Sequence, residues 1–232
     1  MAGFYLVRGT LTRDIDTRVW QLLVATPMTR GTYLLAKACS HLLVLGLIVM
    51  AGLGVGFVAQ MVRGEDRMLN LWELVKPSLV LALPSSAVTA MFAVWFDMVP
   101  WLRRTAGNIL YFFSWTMLMV VFLANLIPDE NPAAKNSWMS DPAGMVMVSR
   151  DLDRQAAPQL GVPSVGGFSV GVQLLDKPPV LLTWPTWEVR SIDLLGRFLW
   201  LVLSLIGVLL AAPFLDRAAA HAGSAVALAK QS

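Results

Sequence analysis

A histidine and two adjacent serines are the side chains in the apolar part of this chain that could support chemistry. His41 could ligate a metal or carry a proton, but no acidic residue stands beside it at helical spacing, so a packing role competes with a ligand role. Ser85 and Ser86 follow Pro84 and lack the Gly-x-Ser-Gly context of a serine nucleophile. We expect their hydroxyls to bond back to helix carbonyls. The sequence therefore predicts no catalytic residue, no cofactor site and no metal site.

Composition indicates a membrane protein. The chain has 232 residues, of which 56% are hydrophobic and 14% charged, and its mean hydropathy is +0.63. A chain of this composition is too apolar for an ordinary soluble domain. The net charge of +3 comes from basic residues beside apolar segments, which favours contact with membrane lipid and not with nucleic acid. No Gly-x-x-x-x-Gly-Lys-Ser/Thr loop occurs, so the chain is not expected to bind ATP in that way.

Four segments have the roughly 20 mostly apolar residues that a helix needs to cross the hydrocarbon core. They are Tyr33–Met61, Pro77–Phe96, Ala106–Ile127 and Phe198–Leu215. Their middles carry no charge, and tryptophans fall near their ends, where the headgroup layer suits an indole ring. The sequence predicts an all-α integral membrane protein with four transmembrane helices.

Basic residues predict the orientation. They cluster before the first span, between the second and third spans, and after the fourth, at Arg8, Arg13, Arg18, Arg30, Lys37, Arg103, Arg104, Arg217 and Lys230. The positive-inside rule makes that side cytoplasmic, with both termini on it. Residues 128–190 then form a large extracytoplasmic loop with eight of the chain's 13 prolines and a short helix at about Ala143–Gln155.

The segment before the first span is amphipathic. Its apolar residues recur at helical spacing and its polar residues occupy other faces: Ile15, Val19, Leu22 and Leu23 against Asp14, Arg18 and Gln21. Pro27 disfavours helical geometry at Thr26, so the helix should end there. We expect a helix parallel to the membrane, with an exposed tip and a tight turn into the span near Tyr33. It could anchor the chain at the interface or couple it to a partner.

This stretch resembles the coupling segment of the ABC-2 type transporter permeases. The family pattern is an Arg-Asp pair, a Glu-Leu-Leu-x-Ala-Thr-Pro run, a basic residue and a Tyr-Leu-Leu-x-Lys entry into the next span. Here these features are Arg13-Asp14, residues 21–27 with Gln21 in place of Glu, Arg30, and Tyr33 to Lys37. The resemblance implies that the partner-coupling residues are Arg13, Asp14, Arg18, Gln21, Leu22, Leu23, Thr26, Pro27 and Arg30.

The resemblance also implies a function. The chain would be the transmembrane permease subunit of an ABC transporter in a bacterial inner membrane, itself not an enzyme. ATP and Mg would be bound and hydrolysed by a separate ABC ATPase subunit, and a second permease subunit would complete a homo- or heterodimer. The alternative is a non-transporting scaffold or sensor whose extracytoplasmic loop binds a partner. The Asp141-Pro142-Ala143-Gly144 and Trp184-Pro185-Thr186-Trp187 stretches resemble a bacterial subgroup of the family with a large loop before the last span.

The predicted organisation follows from these segments. It comprises an N-terminal stub and coupling helix at 1–32, three transmembrane helices at 33–127, the loop at 128–190, the last transmembrane helix at 191–217 and a cytoplasmic tail at 218–232. Family members usually have six spans, so the chain resembles a permease without its first two spans, through truncation, a late assigned start or a split gene. Gly52 and Gly56 give the first span a small-residue face, suited to packing within the chain or to a dimer seam.

The orientation can be tested by thiol labelling in a Cys39→Ala background. A cysteine introduced at Ala134 should react with an impermeant reagent in intact cells, because the loop is predicted to lie outside. A cysteine at Ala219 should be protected until the membrane is permeabilised. Labelling of both positions, or of Ala219 only, would contradict the predicted orientation.

Overall fold

The computed structural model describes residues 2–10, 13–14, 17, 27–63, 71–99, 101–102, 105–126, 141–163, 165, 182, 184 and 186–215. These residues form helices and contain no strand. The helices are α1 (Ala2–Val7), α2 (Arg30–Arg63), α3 (Leu71–Met98), α4 (Thr105–Leu126), α5 (Met145–Leu160) and α6 (Ser191–Leu210), with a short 3-10 turn at Ala212–Phe214. The all-α prediction is confirmed for this part of the chain.

Three helical stretches are long and apolar enough to cross a membrane: Arg30–Val62, Leu71–Met98 and Ser191–Phe214. They contain or overlap the first, second and fourth predicted spans. The predicted third span coincides with α4, a helix of 22 residues, but its crossing of the membrane stays a prediction, as does the large loop. The short helix expected near Ala143–Gln155 is present as α5, which begins at Met145 and continues past Pro158 to Leu160.

A widened turn precedes Pro84 within α3. Ser78–Ala82 is a π-helical segment, and the Leu83 amide donates to the carbonyl of Ser78. In a regular α-helix the ring of Pro84 would clash with the carbonyl four residues earlier, and that carbonyl would lose its usual donor. A wider turn immediately before the proline relieves the clash without ending the helix.

Helix α3 lies against α2 and α6 and forms the centre of the fold. At its Met98 end, buried apolar residues from the three elements form one cluster: Tyr33, Leu34, Ala38, Val94, Met98, Val208, Ala211 and Leu215. The α3–α6 contact is close because position 207 has no side chain. A Cβ on Gly207 would lie 2.3 Å from the Met91 sulfur, and the Trp95 indole nitrogen donates to the Gly207 carbonyl at 2.8 Å.

The short helix α1 packs into the bundle beside α3 and α4. Phe4 and Val7 are buried at 0% and 2% exposure. The Phe4 ring stacks on Tyr111 with centroids 3.6 Å apart and meets Phe96 edge to face at 5.4 Å. Burying a side chain of this kind is worth about 1.5–3 kcal/mol, so the N-terminal residues are held by packing.

A buried ion pair connects α6 to the turn before α5. Arg197 and Asp141 are 6% exposed each. The guanidinium donates to the carbonyls of Pro142 at 2.9 Å and of Asp141 at 2.5 Å, and one nitrogen lies 3.6 Å from the Asp141 carboxylate. A buried charge is tolerated only when paired and hydrogen-bonded. The pair therefore fixes this turn against the start of α6.

Asp141 also caps α5. Its Oδ1 accepts from the amides of Gly144 and Met145 at 2.7 and 2.9 Å, and its Oδ2 accepts from Val146 at 2.9 Å. These amides have no partner within the helix, and the carboxylate also favours the positive end of the helix dipole. At the other end, Gly161 adopts a left-handed φ of 66° and stops the helix.

Glycine is required at position 144 more than at position 161. Both have positive φ, but a Cβ on Gly144 would lie 2.3 Å from Leu81 and 3.1 Å from Arg197, whereas a Cβ on Gly161 meets nothing within 4 Å. We expect Gly144→Ala to lower the midpoint of thermal unfolding in detergent by several degrees more than the matched control Gly161→Ala. Equal losses for the two variants would show that packing at the turn contributes little.

Candidate coupling site

The Arg-Asp pair lies in a short helical stretch near the N-terminus. The Arg13 amide donates to the Gly9 carbonyl at 2.9 Å, and the Thr17 amide donates to the Arg13 carbonyl at 2.9 Å. Both bonds have the four-residue spacing of an α-helix. The Thr17 hydroxyl adds a 2.8 Å bond to the same Arg13 carbonyl. Arg13 and Thr17 are exposed, whereas Asp14 is half-buried.

Asp14 contacts both polar residues of the Tyr-Leu-Leu-x-Lys entry. The Tyr33 hydroxyl donates to Asp14 Oδ2 at 2.7 Å, and Lys37 Nζ lies 2.5 Å from the same oxygen. Tyr33 and Lys37 are four residues apart and so share a face of α2. Both side chains of the Lys37–Asp14 pair are 22% exposed, which screens the pair less than a surface ion pair would be. The two halves of the sequence motif are therefore bonded to each other in space.

The Thr-Pro break leads directly into α2. Thr29 precedes the helix, and its hydroxyl oxygen accepts from the Thr32 amide at 3.2 Å. This is the bond of an N-cap, which satisfies an amide that has no helical partner. Pro27, Met28, Thr29 and Arg30 are all exposed. The residues from Pro27 to the start of α2 thus form a short, capped and accessible connection.

Other polar contacts hold the start of the chain to α3 and α4. The Gly9 amide lies 3.1 and 3.0 Å from the two oxygens of Asp97, a carboxylate that is 1% exposed. The Arg8 guanidinium donates to the Leu102 carbonyl and to the side-chain oxygen of Asn108. A buried carboxylate requires donors of this kind. The N-terminal stretch is consequently tied to the Met98 end of α3 as well as to α2.

The structure locates part of the predicted coupling set. Arg13, Asp14, Pro27 and Arg30 lie at this end of the bundle. The remaining predicted coupling residues lie outside the described residues: Arg18, Gln21, Leu22, Leu23 and Thr26. The small-residue face of α2 is also described. A Cβ on Gly52 would meet nothing within 4 Å, and one on Gly56 would touch only Leu74 at 4.0 Å. A packing role for these two glycines stays a prediction.

The side chains considered for chemistry have local partners. His41 is 2% exposed, and its Nε2 lies 2.7 Å from the Thr10 hydroxyl, while its Nδ1 has no hydrogen-bond partner. The Ser85 hydroxyl lies 2.6 Å from the Leu81 carbonyl, as predicted for a serine bonding back to its helix. Among the described residues, no group of three His, Cys, Asp or Glu side chains could hold a metal ion.

Sequence reasoning missed a polar cluster at the opposite end of α3. Asp151 of α5 is 5% exposed and pairs with Arg154 at 3.0 Å. It also accepts from Gln155 at 2.9 Å and from the Trp184 indole at 3.1 Å. Glu188 bonds to Arg154 and raises the pKa of its guanidinium further above the ordinary value. The carboxylate of Asp151 thus bonds α5 to the segment that leads into α6.

A second link joins that segment to the start of α3. Lys76 Nζ donates to Glu73 at 2.8 Å and to the Trp187 carbonyl at 2.9 Å. The Trp187 amide lies 3.4 Å from the other oxygen of Glu73. The Trp184 to Trp187 stretch was noticeable in the sequence because two tryptophans flank a Pro-Thr pair. That pattern did not reveal the partners of the two tryptophans, which lie 33 residues from Trp184 and 111 residues from Trp187.

The two polar clusters therefore occupy opposite ends of a helix that is long and apolar enough to span a membrane. Comparisons with protein-family models, with curated proteins and with solved structures find no match for this chain.

Proposed function

We propose that this chain is the transmembrane permease subunit of an ABC transporter. It moves a substrate with ATP that a separate nucleotide-binding subunit hydrolyses, and the segment between Asp14 and Pro27 docks on that subunit. The observation that carries the proposal is the bonding of Asp14 to Tyr33 and Lys37. These three residues belong to the motif by which the sequence resembles ABC-2 permeases, and their contact gives the motif a mechanical purpose.

The bonds of Asp14 support force transmission. A segment joined to α2 only through Pro27 could swing about that turn without moving the helix. Asp14 provides a second attachment at the other end of the segment, on the first two turns of α2. Gly9 adds a third attachment, to Asp97 of α3. A push on the docked segment would then displace α2 and α3 together, as required for a rigid coupling element.

The geometry also fits the proposed topology. The N-terminal contacts lie at the Met98 end of α3, and the contacts of α5 and Trp187 lie at its Leu71 end. In the proposal, the first end faces the cytoplasm and the second faces outward from the bacterial inner membrane. Four spans, both termini in the cytoplasm and residues 128–190 outside complete the arrangement. A second permease subunit and lipid would cover the exposed apolar side chains of α2, which include Leu43, Leu47, Met50, Val55 and Val62.

Asp14→Asn tests the attachment. The variant keeps the shape of the side chain but loses the charge that binds Lys37. A hydrogen bond to a charged group is worth about 1.5–3 kcal/mol, so substrate-stimulated ATP hydrolysis in the reconstituted complex should fall roughly tenfold or more. Association of the ATPase subunit on affinity purification should remain near normal, because Asp14 faces α2.

The matched control for this variant is Glu73→Gln. It neutralises a carboxylate that also pairs with a lysine, Lys76 at 2.8 Å, but at the other end of α3. We expect it to leave stimulation largely intact. Equal losses for Asp14→Asn and Glu73→Gln would indicate a general effect on folding and would count against a specific attachment.

Leu22→Glu tests docking on the ATPase subunit. A fully buried leucine contributes about 1.5–3 kcal/mol, and a carboxylate in a desolvated groove adds a penalty. The variant should reach the membrane at normal abundance yet lose most of the co-purified ATPase or its stimulation. Leu71→Glu, the same change at an exposed position at the opposite end of α3, should retain both. If Leu22→Glu retains both as well, the segment is an interfacial anchor, and the scaffold or sensor alternative gains support.

A further inference from the structure

An apolar cavity of about 170 Å³ lies among α3, α4, α6 and the turn before α5. Four of its twelve lining residues are aromatic: Phe92 from α3, Tyr111 and Trp115 from α4, and Trp200 from α6. Pro142 closes the end of the cavity nearest α5. Tyr111 is 5% exposed, whereas Phe92 and Ser114 are exposed, so the cavity is buried on the Tyr111 side and has exposed residues on another.

The described lining residues of the cavity are mostly apolar, and none of them is charged. The Ser85 hydroxyl is directed at the Leu81 carbonyl at 2.6 Å, and the Thr89 hydroxyl donates to the Ser85 carbonyl at 2.8 Å. A charged or strongly polar molecule that entered would lose its hydration without compensation. The site therefore selects for uncharged, apolar chemistry.

The end wall is fixed in position. Arg197 donates to the carbonyls of Asp141 and Pro142, and Ser85 Oγ also lies 3.3 Å from the Pro142 carbonyl. A void usually shrinks when its walls relax inward. Here a buried ion pair and a capped helix hold the turn, so the cavity is preformed.

Its volume sets the size of the occupant. An engineered apolar cavity of about 150 Å³ in another protein binds benzene, so a single ring fits in the volume present here. A full-length lipid acyl chain is much larger. Aromatic walls favour an aromatic guest because rings pack well edge to face and offset.

We propose that this cavity is a binding site for a compact, uncharged aromatic molecule. The inference does not depend on the transporter assignment. It requires neither an ATPase partner nor transport, and it adds a ligand site to the chain whichever function the coupling segment serves.

Photolabelling of the purified full chain in lipid nanodiscs tests the proposal. The probe is an uncharged phenyl diazirine, and labelled peptides are mapped by mass spectrometry. We expect saturable labelling of residues 85–92 and 111–118, reduced at least tenfold by excess toluene. Val88→Phe should reduce it at least fivefold, because Val88 lines the cavity and the larger ring fills it.

Two further variants provide a control and a second way to fill the cavity. Leu83→Phe adds the same ring at an exposed position of the same helix and should label like the native chain. Leu118→Phe fills the cavity from α4 and should reproduce the loss if Val88→Phe does not fold. Size-exclusion chromatography identifies the folded variants.

Three results would overturn the proposal. One is labelling spread equally over exposed residues of α2 such as Leu47 and Met50, without competition by toluene, since the probe would then report contact with lipid only. Another is competition by phospholipid but not by toluene, which would identify an acyl chain as the occupant. The third is full, toluene-sensitive labelling in folded Val88→Phe and Leu118→Phe.

Discussion

The buried charge of Arg197 is the constraint on which the arrangement of α5 and of the turn before it depends. It lies in a helix that is otherwise apolar enough to cross a membrane, and a cation in such a position must be paired. Its partner Asp141 is also the residue whose carboxylate caps α5. One interaction therefore sets the start of α5, the conformation of the turn and the end wall of the apolar cavity. The positive φ at Gly144 lets the turn approach Leu81 and Arg197 closely enough for this pair to form.

Charged side chains at the other end of the bundle are also paired, but with different partners. Asp97 and Asp14 receive main-chain and side-chain donors from residues remote in sequence. Apolar packing of Phe4 and Val7 brings the N-terminal stretch close, and the carboxylates then determine its exact attachment. Packing supplies most of the free energy of such a contact, while the charged bonds make it specific. A long apolar helix with defined polar contacts at both ends can act as a rigid connection between those ends.

Much of this arrangement could be predicted from the sequence, because apolar length and helical period are local properties. They predicted the three helices that are long and apolar enough to cross a membrane and the approximate position of α5, but not the π-helical segment before Pro84. The Arg13-Asp14 and Tyr33 to Lys37 patterns pointed to the region that we propose as the coupling site. They did not reveal that Asp14 bonds to Tyr33 and Lys37, since residues that are 19 positions apart meet only through the folded turn. Asp151 was missed for the same reason, because its indole partner lies 33 residues away.

The widened turn at Ser78–Ala82 has a consequence for the two ends of α3. A π turn accommodates about one residue more than an α turn, and one residue corresponds to roughly 100° of rotation about the helix axis. Compared with a regular α-helix, the turn therefore rotates Glu73 and Lys76 about the helix axis relative to Trp95 and Asp97. In a homologous chain without the proline and the widened turn, the loss of one residue would keep the two ends of the helix in the same relative orientation. We therefore expect a single-residue gap here when such chains are aligned. The widened turn before the proline thus determines how the polar residues at the Leu71 end of α3 are oriented relative to the packing residues at its Met98 end.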